Sequence, residues 1–235
     1  MSACRSISLP LYAVLTAFTA IVAGCSGNGG FGGGNGKPYF KAKHEPWRAQ
    51  VETACLNSGL VRSAPWIATK RGLGGPGVCG AIRPFRVAAA SNGTVALNPP
   101  AILRCPMIPA VDRWMNTIVQ PAASRHFGSR VVDVKVAASY GCRPRNNKHG
   151  GKLSEHGFAN ALDVSTFHFA NGRSATVKEW RRGPSNTRAF LREVHRGSCR
   201  VFTTVLGPNA DRYHHDHFHL DLARHGRHGT RRYCR

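Results

Sequence analysis

The chain has 235 residues, with 33 Lys+Arg against 11 Asp+Glu and a formal net charge of +22. That length gives room for one domain with a proper core plus a leader, and no internal repeat or second domain is evident. The charge favours anionic partners, whether nucleic acid, an acidic lipid surface or an anionic cell-envelope polymer, and by itself does not choose among them.

In chain order, Arg5 precedes an apolar stretch from Leu9 to Ala23, short for a spanning helix and the size of a signal h-region. It ends in Val22-Ala23-Gly24-Cys25, which resembles the bacterial lipoprotein cleavage box. By that resemblance residues 1–24 form a signal peptide and Cys25 becomes the lipidated first residue. Ser26 after it resembles lipoproteins sent to the outer membrane of Gram-negative cells, so a periplasmic, lipid-anchored protein is expected. The glycine-rich run Ser26 to Gly36, within residues 25–45, reads as a flexible tether rather than a phosphate loop, because no strand precedes it and no helix signal follows.

Of eight cysteines, Cys4 lies in the leader and Cys25 would take the lipid. The remaining Cys55, Cys79, Cys105, Cys142, Cys199 and Cys234 suggest three disulfides in an exported domain, with the pairing open. No CxxC pair occurs, which argues against a cysteine zinc knuckle.

The domain is expected over 46–235. Trp47, Val51, Cys55 and Leu56 have helical spacing. The stretch to Pro100 reads as loops and short strands, with Cys79, Ile82 and Phe85 packed in the core or against a disulfide. Ala110, Val111, Trp114, Met115 and Ile118 make one apolar helix face, ended or kinked by Pro121. Val131 to Ala138 is a strand by β-branched content, delivering Ser139 to Arg143 to its end. Further strands are expected over Ala161–Phe167 and Val201–Leu206, with a helix from Asn186 to Gly197 capped by Asn186 or Ser185. Cys234 would pin back a basic tail. The fold class is α+β, a small, mostly antiparallel sheet with flanking helices, stabilised by disulfides.

The richest stretch is Asp216-His217-Phe218-His219-Leu220-Asp221-Leu222. Read as a strand from Asp216, it puts His217, His219 and Asp221 on one face and Phe218, Leu220 and Leu222 on the other. Upstream stand Ser154-Glu155-His156 and Asp163. Two imidazoles and one carboxylate suit an open three-ligand Zn2+ site that keeps a fourth position for water.

His156-x6-Asp163 with His217-x-His219 looks like the paired motifs of the lysostaphin, D-Ala-D-Ala metallopeptidase and hedgehog zinc fold. Ser139-Tyr140-Gly141-Cys142-Arg143, Asn147, Gly150, Ser154-Glu155-His156 and Ala161-x-Asp163 are closer to its D-Ala-D-Ala peptidase branch. Cys79-Gly80, Trp114, Gln120-Pro121-Ala122-Ala123, Phe190-Leu191-Arg192 and Val205-Leu206-Gly207-Pro208 resemble bacterial extensin-like C-terminal domain proteins, over nearly all of 46–235.

The resemblance implies His156, Asp163 and His219 as metal ligands, and His217 as general base or transition-state stabiliser. His214 matches an accessory histidine of murein endopeptidases. Asp216 lies where the dipeptidase branch has a catalytic Glu, but strand alternation would turn it away from His217 and His219, so His217 is preferred as base. Ala159 departs from the family's usual Gly. Arg143 is a candidate for the developing oxyanion or a substrate carboxylate, and Ser154 for a hydrogen bond near metal or substrate.

Several neighbours also have a plainer reading. Glu155 reads as a surface or metal-supporting residue, and Asp221 equally as an imidazole partner or a solvated edge residue. His215 reads as solvated, and His225 and His228 as tail residues.

The leading expectation is a monomeric zinc peptidase acting on peptidoglycan cross-links or stems, with membrane attachment through Cys25. The alternative is a non-catalytic, zinc-containing wall-binding lipoprotein on the same fold. Specific nucleic-acid binding is suggested by charge alone; the leader, the cysteines and the lack of a helix-turn-helix or stacking motif speak against it.

Overall fold

The computed structural model describes residues 40–235. The expected signal peptide, Cys25 and the glycine run lie outside the described residues. Phe40, before the expected domain start, is buried with Cys79, Leu153 and Phe158 in a small apolar cluster. Lys41 pairs through its backbone with Gly151 and Leu153.

Helix α1 spans Trp47–Asn57, followed by β1 (Ile67–Thr69), the short pair β2 (Leu73–Gly74) and β3 (Gly80–Ala81), β4 (Phe85–Ala90) and β5 (Val95–Leu103). Then come α2 (Met107–Trp114), a π-helical segment Met115–Val119, α3 (Gln120–Phe127), β6 (Val131–Ala138), β7 (Ala161–Phe169) and β8 (Ser174–Thr176). Helix α4 (Ser185–Ser198), β9 (Thr204–Leu206), β10 (Phe218–Asp221) and β11 (Tyr233–Cys234) complete the chain.

The class is α+β and the sheet is mixed but mostly antiparallel, as expected, though larger than expected. It has nine strands in the order β1-β4-β5-β6-β7-β10-β9-β11, with β8 on the edge of β7. The β5–β6 and β9–β11 pairs are parallel and the others antiparallel. Beyond the short-strand reading of the stretch to Pro100, β5 runs on through Pro99 and Pro100. Those prolines fall between two pairing runs on β4, at a register shift, so their missing N–H groups cost no ladder bond there.

Pro121 does not end the helical run. The preceding turn widens into the π segment, which makes room for the proline ring, and the chain remains helical to the left-handed Gly128. Helix α4 starts at Ser185 after Pro184, with no side-chain cap, so neither Asn186 nor Ser185 plays that part. Ile82 is exposed rather than packed, whereas Phe85 and Cys79 are buried.

Leu162 and Val164 of β7, and Phe218 and Leu220 of β10, join Trp114, Phe167, Phe190 and Phe202 in the main core. Trp114 also donates its indole N–H to Ser198 Oγ at 2.8 Å, satisfying the one polar atom of that ring. Because strand side chains alternate, Asp163, His219 and Asp221 point to the opposite face.

The cysteines pair as Cys55–Cys105, Cys79–Cys142 and Cys199–Cys234. The first ties α1 to the end of β5, the second holds the loop before Arg143, and the third pins the tail beside β9 as expected.

Candidate metal centre

Two adjacent strands build the floor of the site. In the β7–β10 pair His219 stands directly opposite Asp163, and cross-strand partners share a face. His219 Nδ1 lies 2.9 Å from Asp163 Oδ1. His156 comes from a short 3-10 turn, Glu155–Phe158, whose N-cap is Ser154; its hydroxyl accepts the His156 backbone N–H at 3.4 Å. His156 Nε2 is then 3.1 Å from Asp163 Oδ2 and 3.1 Å from His219 Nδ1. All three residues are buried.

The far sides of both rings are also engaged. His156 Nδ1 donates to the Ser139 carbonyl. His219 Nε2 donates to Asp221 Oδ2 at 2.9 Å. With those nitrogens carrying the protons, the neutral rings turn two lone pairs toward each other and toward a buried carboxylate. Such a cluster requires a positive charge at its centre. The nitrogen–nitrogen separation, and that of each nitrogen from the Asp163 oxygen it meets, lie at 2.9–3.1 Å, near the edge of about 3.3 Å expected for a tetrahedron with bonds of about 2.0 Å. The donor set therefore fits Zn2+, with one imidazole supported by a carboxylate and the other by a carbonyl, the usual arrangement around bound metal.

Without a cation, a proton takes its place. Burial opposes charge on His219, but its hydrogen bonds to Asp163 and Asp221 and their charges outweigh burial and raise its pKa to about 10. Burial likewise opposes ionisation of Asp163, yet His156 and His219 hold its pKa well below the usual carboxylate range.

The other expected site residues gather at the same place, lining a cavity of about 490 Å³. His217 Nε2 is 3.6 Å from Asp163 Oδ2 and partly exposed. Arg143 lies beyond the end of β6, in the loop held by Cys142; its Nη2 is 3.9 Å from Asp163 Oδ2. The His214 ring centre is 5.2 Å from that of His217 and 5.9 Å from that of His219.

Some expectations need correction. Strand β10 begins at Phe218, so Asp216 lies in the preceding turn and His217 in the link after it, where strand alternation does not apply. Asp216 consequently faces His217, accepting from its Nδ1 at 2.9 Å, and this contact lowers the Asp216 pKa against the opposing effect of burial. Asp221 is buried and bonded to His219, which decides between its two readings. Glu155 is no surface residue; it is buried, paired with Arg48 and accepting from Asn160 at 2.7 Å. Ala159 sits at φ 51°, a left-handed backbone region that glycine enters without strain. His225 is more than a tail residue, since its Nε2 lies 2.7 Å from Thr204 Oγ1 and it lines the cavity.

Asp211 was not among the sequence candidates. Its Oδ1 lies 2.7 Å from His214 Nδ1 and accepts the Tyr213 backbone N–H at 2.8 Å. The signal was an Asp opening a turn-forming run, where its carboxylate can accept the backbone N–H two residues on, as in an Asx turn, and so comes within reach of the next histidine. Burial lowers the His214 pKa despite that carboxylate, which favours the neutral ring.

The family described as Extensin-like protein C-terminus matches residues 53–235, and the chain belongs to that family. No curated protein and no solved structure matches the chain.

Proposed function

We propose that this member of the extensin-like family is a zinc-dependent peptidase that hydrolyses amide bonds in the peptides of peptidoglycan. The observation that carries the reading is the convergence of His156 Nε2, Asp163 and His219 Nδ1, with the opposite ring nitrogens already committed to Ser139 and Asp221. The motif spacing supports kinship with the D-Ala-D-Ala peptidase branch of the hedgehog-like zinc fold. The charge of +22 favours retention on an anionic wall polymer. Anchoring in a membrane through a lipidated Cys25, on the periplasmic side, belongs to the same proposal.

Zn2+ on these ligands would supply a Lewis acid that polarises the scissile carbonyl and makes a water nucleophilic near neutral pH. The remaining work falls to side chains of this chain. His217, on the open side of the cluster and oriented by Asp216, takes the proton of the attacking water and returns it to the leaving amine. Arg143, with its guanidinium near Asp163 and partly exposed, faces the developing oxyanion or a terminal carboxylate. His214, neutral and with its Nδ1–H held by Asp211, turns an unprotonated Nε2 that accepts a hydrogen bond at the cavity wall. Ser154 holds His156 through the backbone and also lines the cavity.

Loading the protein with Zn2+ and incubating it with purified peptidoglycan tests the reading. Peptide fragments should appear, and a chelator should abolish them. An intact wall would count against hydrolysis.

A further inference from the structure

The histidine cavity adjoins a second of about 840 Å³, and Arg145, Glu155 and His225 line both. The second cavity lies between the segment from Phe40 to Arg48, the Lys152–Leu153 backbone and the chain from Ala223 to Gly226. Its cations are Lys41, Lys43, Arg48, Arg145, Lys152 and Arg224; its carboxylates are Glu45 and Glu155.

Those two carboxylates are already committed, because both bond to the guanidinium of Arg48. Arg48 is fixed further by stacking, 4.0 Å above the Phe158 ring centre and 4.5 Å from that of Trp47. Arg224 rests on the other contact of the same indole, 4.8 Å from its centre. The side chains of Lys41, Lys43, Arg145 and Lys152 are exposed and make no hydrogen bond or ion pair among the described residues. The cavity thus presents uncompensated positive charge in a concave wall, which concentrates an approaching anion more than a flat patch would.

We propose that this annex is a binding subsite for carboxylates of the same peptide whose amide bond lies at the histidine cluster. The inference rests on the peptidase reading and adds the part of the substrate that the metal centre does not hold. A peptide chain crossing the shared wall at Arg145 would place an acidic side chain or free α-carboxylate among Lys41, Lys152 and Arg224. Carboxylate is favoured over a bulkier polyanion because the two cavities share walls, so one short acidic chain reaches both. The backbone pairing of Lys41 with Gly151 and Leu153 holds the two key lysines on neighbouring segments of one rim.

The test uses the full chain carrying His217→Ala, which suppresses turnover, and a fluorescent wall stem peptide, L-Ala-γ-D-Glu-diaminopimelate-D-Ala, in its free-acid and carboxamide forms. Adding Lys41→Glu and Lys152→Glu should weaken the free acid by about tenfold or more at low salt, and flatten its salt dependence. The carboxamide should bind weakly and equally to both proteins. An unchanged melting temperature and zinc affinity establish that the charge reversal leaves the fold and the histidine cluster intact.

Equal affinity of the two proteins for the free acid overturns the subsite, as does failure of His217→Ala to bind it. Tighter binding of polyphosphate than of the free acid overturns the carboxylate assignment. Selective binding of the free acid by a protein that, with His217 restored and Zn2+ loaded, releases no fragments would retain the subsite and reject the peptidase reading. Cleavage whose KM ignores the charge reversal would do the opposite.

Discussion

His219 and Asp221 share one face of β10, and the imidazole Nε2 of the first lies 2.9 Å from the carboxylate Oδ2 of the second. That contact commits Nε2 as a donor and leaves Nδ1 to face Asp163 and His156. A buried carboxylate behind a ligand ring fixes its tautomer and makes its lone pair more basic. Asp221→Asn should therefore weaken Zn2+ binding by about 10–100-fold. Competition with a chelator of known affinity measures it, and an unchanged dissociation constant would mean Asp221 only fills space.

In the proposed metal centre, zinc would compete with a proton for His219. Its pKa is raised from 6.5 to about 10, so in metal-free protein the protonated pair adds stability that is fully present below pH 6.5 and lost as pH rises through about 10. Metal binding there would displace this proton, so zinc affinity should climb across that window. Calorimetry in buffers of different ionisation enthalpy should find about one proton released per ion between pH 7 and 8. Binding without proton release would contradict the assignment.

His217→Ala should leave zinc affinity within a few-fold and lower kcat by about 10²–10⁴, the usual worth of a general base. Asp216→Asn should cost less, because the base remains while its orientation loosens, and should act on kcat more than on KM. A larger loss from Asp216→Asn than from His217→Ala would make the aspartate, not the histidine, the proton acceptor.

Stability depends on a second carboxylate remote from the chemistry. Glu52 is the buried residue of α1; it accepts the backbone N–H groups of Ile82 and Arg83 and pairs with buried Arg104 at 2.8 Å. Glu52→Ala strands the Arg104 charge and should cost about 3–5 kcal/mol, read from denaturant unfolding. A loss below about 1 kcal/mol would show that water or another group replaces it.

Local pattern and motif spacing made part of this architecture legible. Val131–Ala138 is a strand by its own composition, and His156, Asp163 and His219 stand out by spacing. The partners were not legible, because they come from far along the chain. Glu52 meets Arg104 and Glu155 meets Arg48 only after the strands have paired, and neither contact leaves a periodic trace. The misreading of Asp216 has a simpler cause. Extending the alternation two residues too far turned its side chain to the wrong face, since a period-two argument fails completely at a turn. The breadth of the sheet was hidden for a similar reason: Pro99 and Pro100 look like strand breakers until a register shift accommodates them.

Digestion of purified peptidoglycan by the zinc-loaded protein beside His219→Ala, followed by mass analysis of the soluble products, decides whether this chain is a zinc-dependent peptidase. Peptide fragments should come from the first and none from the second, with masses that identify the amide bond cut. No fragments from a wild-type protein holding one equivalent of zinc, or equal fragments from both proteins, would contradict the peptidase reading.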